Sequence, residues 1–257
     1  MKAGIRKVAR KAINSVLDIA GFELVRRNAP YTDYKAYIPF QETLLGAERA
    51  GMSIGDYIDA TYGTPGSTQE TIDQMAAFGV FKTNIDRVCE IGPGSGRYLD
   101  KVIRICNPSF YEIYETTEEW TKWLTQSYNV IAQPTDGMSL AATPSASIDL
   151  VHAHKVLPGQ PSLTMCRYFL EMARVVRPGG KIVFDIVTED CLTDDLLQAW
   201  LVSHSAYQHY PCLMPKLYAV DFFCRQGFAY DGTFLIPMKP GMTNYLVFTK
   251  SLPPSSP

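Results

Sequence analysis

From residue 87 onward the chain alternates short apolar runs with segments of helical spacing. Residues 87–91 form an apolar run that ends in glycines, and 97–105 place apolar residues at three- and four-residue steps. The rhythm repeats as a strand at 110–114, a helix at 118–127, a short strand at 130–132 and another apolar strand at 148–153. A helix at 163–176 stops at Arg177-Pro178-Gly179-Gly180, and a β-branched strand follows at 181–187. A helical stretch near 192–202 leads to weaker strands near 228–236 and 245–249. Strands that alternate with helices in this way form a parallel sheet covered on both faces.

The first third of the chain reads differently. Ile5, Val8, Ala12, Val16 and Ile19 recur as an amphipathic helix requires. Seven basic residues against two acidic ones give residues 1–27 a charge of +5, which leaves −7 for the remainder. This segment is either a helix packed on the domain or a reversible contact with an anionic membrane surface. Residues 30–66 are rich in Tyr, Pro and Gly. After the Pro65-Gly66 turn, Ser67 or Thr68 is placed to cap a helix that ends at Gly79. The expected organisation is a basic helix and cap over 1–84, an α/β domain over 85–252 and a flexible tail over 253–257.

Apolar residues at 46% and charged residues at 19% support a substantial core and argue against disorder. A net charge of −2 gives no reason to expect a nucleic-acid partner. The six cysteines form no Cys-x-x-Cys pair, which disfavours a zinc knuckle or thioredoxin-like site. With no signal-peptide pattern in view, cytoplasmic residence is expected, with peripheral contact at the inner membrane face as an extension of it.

The chemistry starts at Glu90-Ile91-Gly92-Pro93-Gly94-Ser95-Gly96-Arg97, where a buried strand enters a glycine turn and then a helix. Such a turn brings backbone close to a nucleotide-like ligand at the strand's carboxyl end. A dinucleotide fingerprint needs its third glycine at 97, where Arg97 stands, and a P-loop needs Gly-Lys-Ser/Thr, which is missing. Glu90 would repel a pyrophosphate; it can organise the loop or pair with the amino group of a methionine-like tail. Glu115, at the end of the second strand, can accept both ribose hydroxyl protons.

These segments resemble class I S-adenosylmethionine-dependent methyltransferases. Residues 90–96 look like that family's first motif. Thr135-Asp136-Gly137-Met138 looks like the loop after its third strand, Ser147–Val151 like its fourth strand, and Arg174–Lys181 like the turn into its fifth. The resemblance implies a doubly wound, Rossmann-like sheet of seven strands, the last antiparallel, with S-adenosyl-L-methionine as cofactor. It also implies that Glu90, Gly92, Gly94 and Gly96 hold the methionine part and Glu115 the ribose. Asp136 would then accept from the adenine amino group, with Gly137 or Met138 adding a backbone contact. A narrower similarity, carried by residues 64–71 and 149–154 and by the short basic N-terminus ending in Gly21-Phe22-Glu23-Leu24-Val25, points to bacterial methyltransferases of cell-surface sugar assembly, and so to O-methylation of a small-molecule or glycan acceptor. An NAD-dependent oxidoreductase and a non-catalytic methyltransferase-like binding module are the alternatives.

The segment after the fourth strand, His152-Ala153-His154-Lys155-Val156-Leu157-Pro158, lacks the Asp/Asn-Pro-Pro-Tyr/Phe of nucleobase N-methyltransferases. His154 is the candidate general base, with His152 and Asp185 next in line. The two histidines share a strand face. Spacing nominates no third ligand, although Asp185, Glu189 or Asp190 could supply one, so no metal is expected. The aromatic segment 204–215 reads either as a lid over the acceptor pocket or as a connection packed on the core.

Overall fold

The computed structural model describes residues 38–203, 212–238 and 241–252. The basic helix, the tail 253–257 and residues 204–211 of the aromatic segment lie outside them. Three helices precede the sheet: α1 (Phe40–Ala50), α2 (Ile54–Thr61) and α3 (Ser67–Ala77). The alternating part runs β1 (Arg87–Ile91), α4 (Arg97–Cys106), β2 (Phe110–Tyr114), α5 (Glu118–Ser127), β3 (Ile131–Ala132), β4 (Ile148–Ala153), α6 (Ser162–Val175) and β5 (Val176–Ile186). It closes with α7 (Asp194–Ser203), α8 (Lys216–Arg225), β6 (Phe228–Met238) and β7 (Gly241–Lys250).

The seven strands lie in the order β3-β2-β1-β4-β5-β7-β6. The first five neighbours pair in parallel, and β7 runs antiparallel to both β5 and β6. The order reverses between β1 and β4, so the crevice of a doubly wound sheet opens at their carboxyl ends. Strand alternation sorts the two faces. Cys89, Ile91, Val151 and Phe184 face α6 and α8, where Phe169 and Phe223 fill the layer. Val88, Leu150, Val183 and Val247 face the side covered by Ile72 and Met75 of α3, Leu99 of α4 and Leu124 of α5.

The expected elements after residue 87 are present, with shifted ends. β5 begins at Val176 rather than 181, because Val176 already pairs with Ile148 before the register slips. Two helices of the Tyr/Pro/Gly-rich stretch, α1 and α2, and the aromatic helix α8 are additions to the expected order. The cap of α3 also differs. Gly66 occupies the N-cap position, and Ser67 and Thr68 lie in the first helical turn. The capping acceptor is Asp59 of α2, whose carboxylate receives the Thr68 N–H at 3.0 Å and its hydroxyl at 2.8 Å. Asp59 also pairs with Arg97 at 2.5 Å. One buried carboxylate therefore joins α2, α3 and the start of α4 beside the glycine loop.

Candidate active site

The glycine loop leaves β1 with the Gly92 N–H donating to the Tyr114 carbonyl at 2.8 Å, which ties the turn to the end of β2. Gly92 has φ +61, and a Cβ there would lie 2.5 Å from Cγ2 of Val156, so only glycine lets the β4 loop come this close. Gly94 has φ +52, and its missing Cβ faces open space. Its N–H donates to Oε2 of Glu115 at 2.8 Å, while Oε1 receives the Thr117 N–H at 2.8 Å. The ribose candidate is thereby oriented by the loop it serves. Gly92, Gly94, Glu115, His154 and Lys155 share one half-open cleft of about 180 Å³. Ile38 borders that cleft, and its carbonyl is held by the indole N–H of Trp120 at 2.9 Å. The cleft thus sits at the switch point, with a bare-backbone cradle on one side and a carboxylate on the other. That arrangement suits a methionine tail and a ribose.

The other predicted residues lie elsewhere. Gly96 packs toward Leu124 of α5, 2.6 Å from where its Cβ would stand, and borders a different hollow of about 560 Å³ lined by α2, α3 and α4. Although larger, that hollow touches neither Glu115 nor Lys155. Asp136 receives the N–H groups of Met138 and Ser139 at 2.9 and 2.8 Å, and so shapes its own loop. Met138 is exposed. Gly137 sits beside Thr116, which lines the cleft, but residues 136–138 are not among the cleft's walls.

Glu90 is buried within the sheet and does not line the cleft. Burial pushes its carboxyl up to about 8; Tyr111 pulls the other way and Glu115 adds to the rise, so the group holds its proton at pH 7. The Tyr111 hydroxyl bonds Oε2 of Glu90 at 2.6 Å and Nε2 of His152 at 2.8 Å. His152 Nδ1 meets His154 Nε2 at 2.9 Å, and His154 Nδ1 meets the Tyr245 hydroxyl at 3.2 Å. These five side chains form one hydrogen-bonded relay across β1, β2, β4 and β7. The donor atoms of Glu90, His152 and His154 lie within 4.8 Å of one another, but the relay already engages each of them. Glu90 is thus engaged with Tyr111 and His152 and stands off the cleft.

His154 stands where the sequence places it, at the carboxyl end of β4 on the cleft wall. Both of its ring nitrogens, however, are engaged within the relay, and Tyr98 stacks on the ring at 3.9 Å. Burial, then His152, Lys155 and Arg97, hold its pKa well below the ordinary value. Asp185, the next candidate, is fully buried and receives the Lys155 N–H at 2.7 Å and the Thr243 hydroxyl at 3.0 Å. Glu189 and Asp190 are turned to Lys216 and do not approach the histidines. Two cleft residues carry no sequence motif. Lys155 is marked only by its place after the strand, and Arg97 was visible only as a glycine that is missing.

A family profile described as a methyltransferase domain matches residues 23–231. The chain belongs to this methyltransferase family. It is an enzyme, and its cofactor is S-adenosylmethionine. That excludes the oxidoreductase and the non-catalytic module. Among solved methyltransferases, the magnesium protoporphyrin IX methyltransferase of Synechocystis, with bound S-adenosylhomocysteine, is 12% identical at a TM-score of 0.57, covering 96% of this chain and 100% of that one. An O-methyltransferase family protein from Burkholderia thailandensis is 18% identical at 0.56, covering 84% of this chain and 65% of that one. The N-methyltransferase NodS from Bradyrhizobium japonicum is 13% identical at 0.50, covering 72% and 97%. No curated protein matches the sequence. At these identities the likeness is one of fold, and it is shared by methyltransferases of both oxygen and nitrogen.

Proposed function

We propose that this methyltransferase acts on a hydroxyl oxygen of a small-molecule or glycan acceptor, in the manner of enzymes that decorate cell-surface sugars. The bound cofactor supplies a methyl group made electrophilic by its sulfonium. The chain's part is to hold the acceptor oxygen in line, exclude water and receive a proton. The observation that carries the reading is the end of β4 and β5, where the His154 ring and the Lys155–Asp185 pair meet beside the cleft. An uncharged hydroxyl needs such a proton-accepting neighbour, and nothing resembling the nucleobase motif stands there. Glu115 and the bare backbone of Gly92 and Gly94 would hold the ribose and methionine parts, and Asp136–Met138 would meet the adenine edge. The basic segment 1–27 would keep the enzyme at an anionic membrane face, near lipid-linked acceptors.

A labelled-methyl screen over sugars, glycolipids and small phenols tests the acceptor class, with cofactor binding checked first by titration with S-adenosylhomocysteine. The expected result is base-stable incorporation into a hydroxyl compound. Incorporation only into amines would replace the oxygen reading with a nitrogen one.

A further inference from the structure

Lys155 is the first residue beyond β4, and it adopts a left-handed backbone at φ +61, unusual for a side chain of its size. Its N–H donates to Oδ1 of Asp185 at 2.7 Å, and its Nζ lies 3.7 Å from Oδ2 of the same carboxylate. One buried acid thus fixes both the turn and the amine. The side chain as a whole keeps 14% of its surface exposed and lines the same cleft as Gly92, Gly94 and Glu115. Both ring nitrogens of His154 are taken up by the relay, whereas the Lys155 amine, itself buried, faces Asp185.

We propose that Lys155 is the catalytic base of this methyltransferase, and that its ammonium form and the sulfonium of the cofactor exclude one another. The origin of the proton rests on the hydroxyl-acceptor reading above; the exclusion of the two cations does not. The neutral Nζ takes the hydroxyl proton as the new oxygen–carbon bond forms and the carbon–sulfur bond breaks, its electron pair staying on sulfur. One positive charge enters as sulfonium and remains as ammonium, so the cleft's net charge is the same before and after transfer. Lys155 gives its proton to solvent when the next cofactor molecule binds.

The surroundings agree with this cycle. Burial brings the amine down to about 8; Asp185 opposes the fall, Arg97 adds to it, and Asp59 opposes it more weakly. The Tyr245 ring centre is 5.3 Å from Nζ, and His154, the preceding residue, packs against that ring. Tyr98, stacked on His154, also lines the cleft. Two further acids matter: Glu115 across the cleft, and Glu90, which also titrates near 8. In a cleft of about 180 Å³ any bound cation lies close enough to favour the uncharged amine.

The test needs no acceptor. Isothermal titration at pH 8, in buffers of different ionisation heat, counts protons exchanged on binding. About half of Lys155 is protonated at that pH, so S-adenosylmethionine should release about 0.5 proton, and neutral S-adenosylhomocysteine close to none. Lys155→Arg keeps a partner for Asp185 but cannot titrate, and should release none while binding S-adenosylmethionine about tenfold more weakly. Lys155→Met should also release none. Equal release with both ligands, or release that persists in Lys155→Arg, would place the proton on a group other than Lys155 and overturn the proposal, as would no release in the native enzyme. Failure of both ligands to bind would instead remove the cofactor site itself. A wrong acceptor class would show only in the labelled-methyl screen.

Discussion

At the scale of single residues, the site depends on backbone that no side chain obstructs. Gly92 is the sharpest case, because Val156 of the neighbouring loop occupies the space a Cβ would need, and the φ of +61 adds strain for any other residue. Gly92→Ala should weaken S-adenosylhomocysteine binding by at least about tenfold, the equivalent of a strained residue's 1–3 kcal/mol. Adding Val156→Ala should restore part of that loss, since it relieves the contact but not the backbone. Calorimetry on the three variants decides: native affinity in Gly92→Ala would mean that the close approach serves something other than the cofactor. Charge at this scale is equally local. Glu115, just past the end of β2, is held by two N–H donors, whereas Glu90 on β1 is buried and keeps its proton, so acids of neighbouring strands do different work.

At the scale of elements, a few carboxylates do the joining. Asp149 opens β4, receives the N–H groups of Asp86 and Arg87 at 2.7 and 2.8 Å, and pairs with Arg177 in the turn before the main run of β5. It thereby fixes the entry of β1 against β4, the two strands that frame the crevice. Burial would raise its pKa, but Arg177 and the two N–H groups outweigh burial and lower it. A carboxyl depressed on folding adds stability above its unfolded value of about 3.9, and that stability fades as pH falls through the folded value. Asp149→Asn should therefore cost about 1–3 kcal/mol at pH 7, in the range of a lost charged hydrogen bond. The gap between native and variant melting curves should narrow below about pH 4. A gap that stays constant into acid would show that the charge contributes nothing.

At the scale of the molecule, the uneven charge becomes the question. No helix among the described residues is long and apolar enough to cross a membrane. Residues 1–27 carry +5 while the rest carries −7, so an anionic surface would attract one part and repel the other. Each basic residue near such a surface adds about 1 kcal/mol, reduced as salt screens it. The intact protein should co-sediment with anionic vesicles at low salt and much less at physiological salt, and a form lacking residues 1–27 should stay in solution. Equal sedimentation of both forms, unaffected by salt, would leave the segment a packing element.

The order and type of the elements after residue 87 were legible in the amino-acid sequence, because strand and helix periods and the glycine and proline punctuation are local properties of the chain. The cofactor class was legible too, through the spacing from Glu90 to Gly96 and the acid at Glu115. Helix α8 was hidden because Tyr218, Val220, Phe222 and Phe223 are weak helix formers that read equally well as a strand; burial of Phe222 and Phe223 against Phe169 and Phe248 decides their state. Helix α2 carried a readable signal in Ser53, which caps it by receiving the Asp56 N–H, yet the surrounding tyrosines and glycines masked it. Which acids and bases meet could be settled only in three dimensions. Glu90 joins His152 because β1 and β4 are neighbours in register, and Tyr111 reaches both from β2 on the other side of β1. Lys155 meets Asp185 because β5 lies beside β4. Desolvation, which sets the charge of Glu90, His154 and Lys155, belongs to the packed sheet and to no segment of the chain by itself.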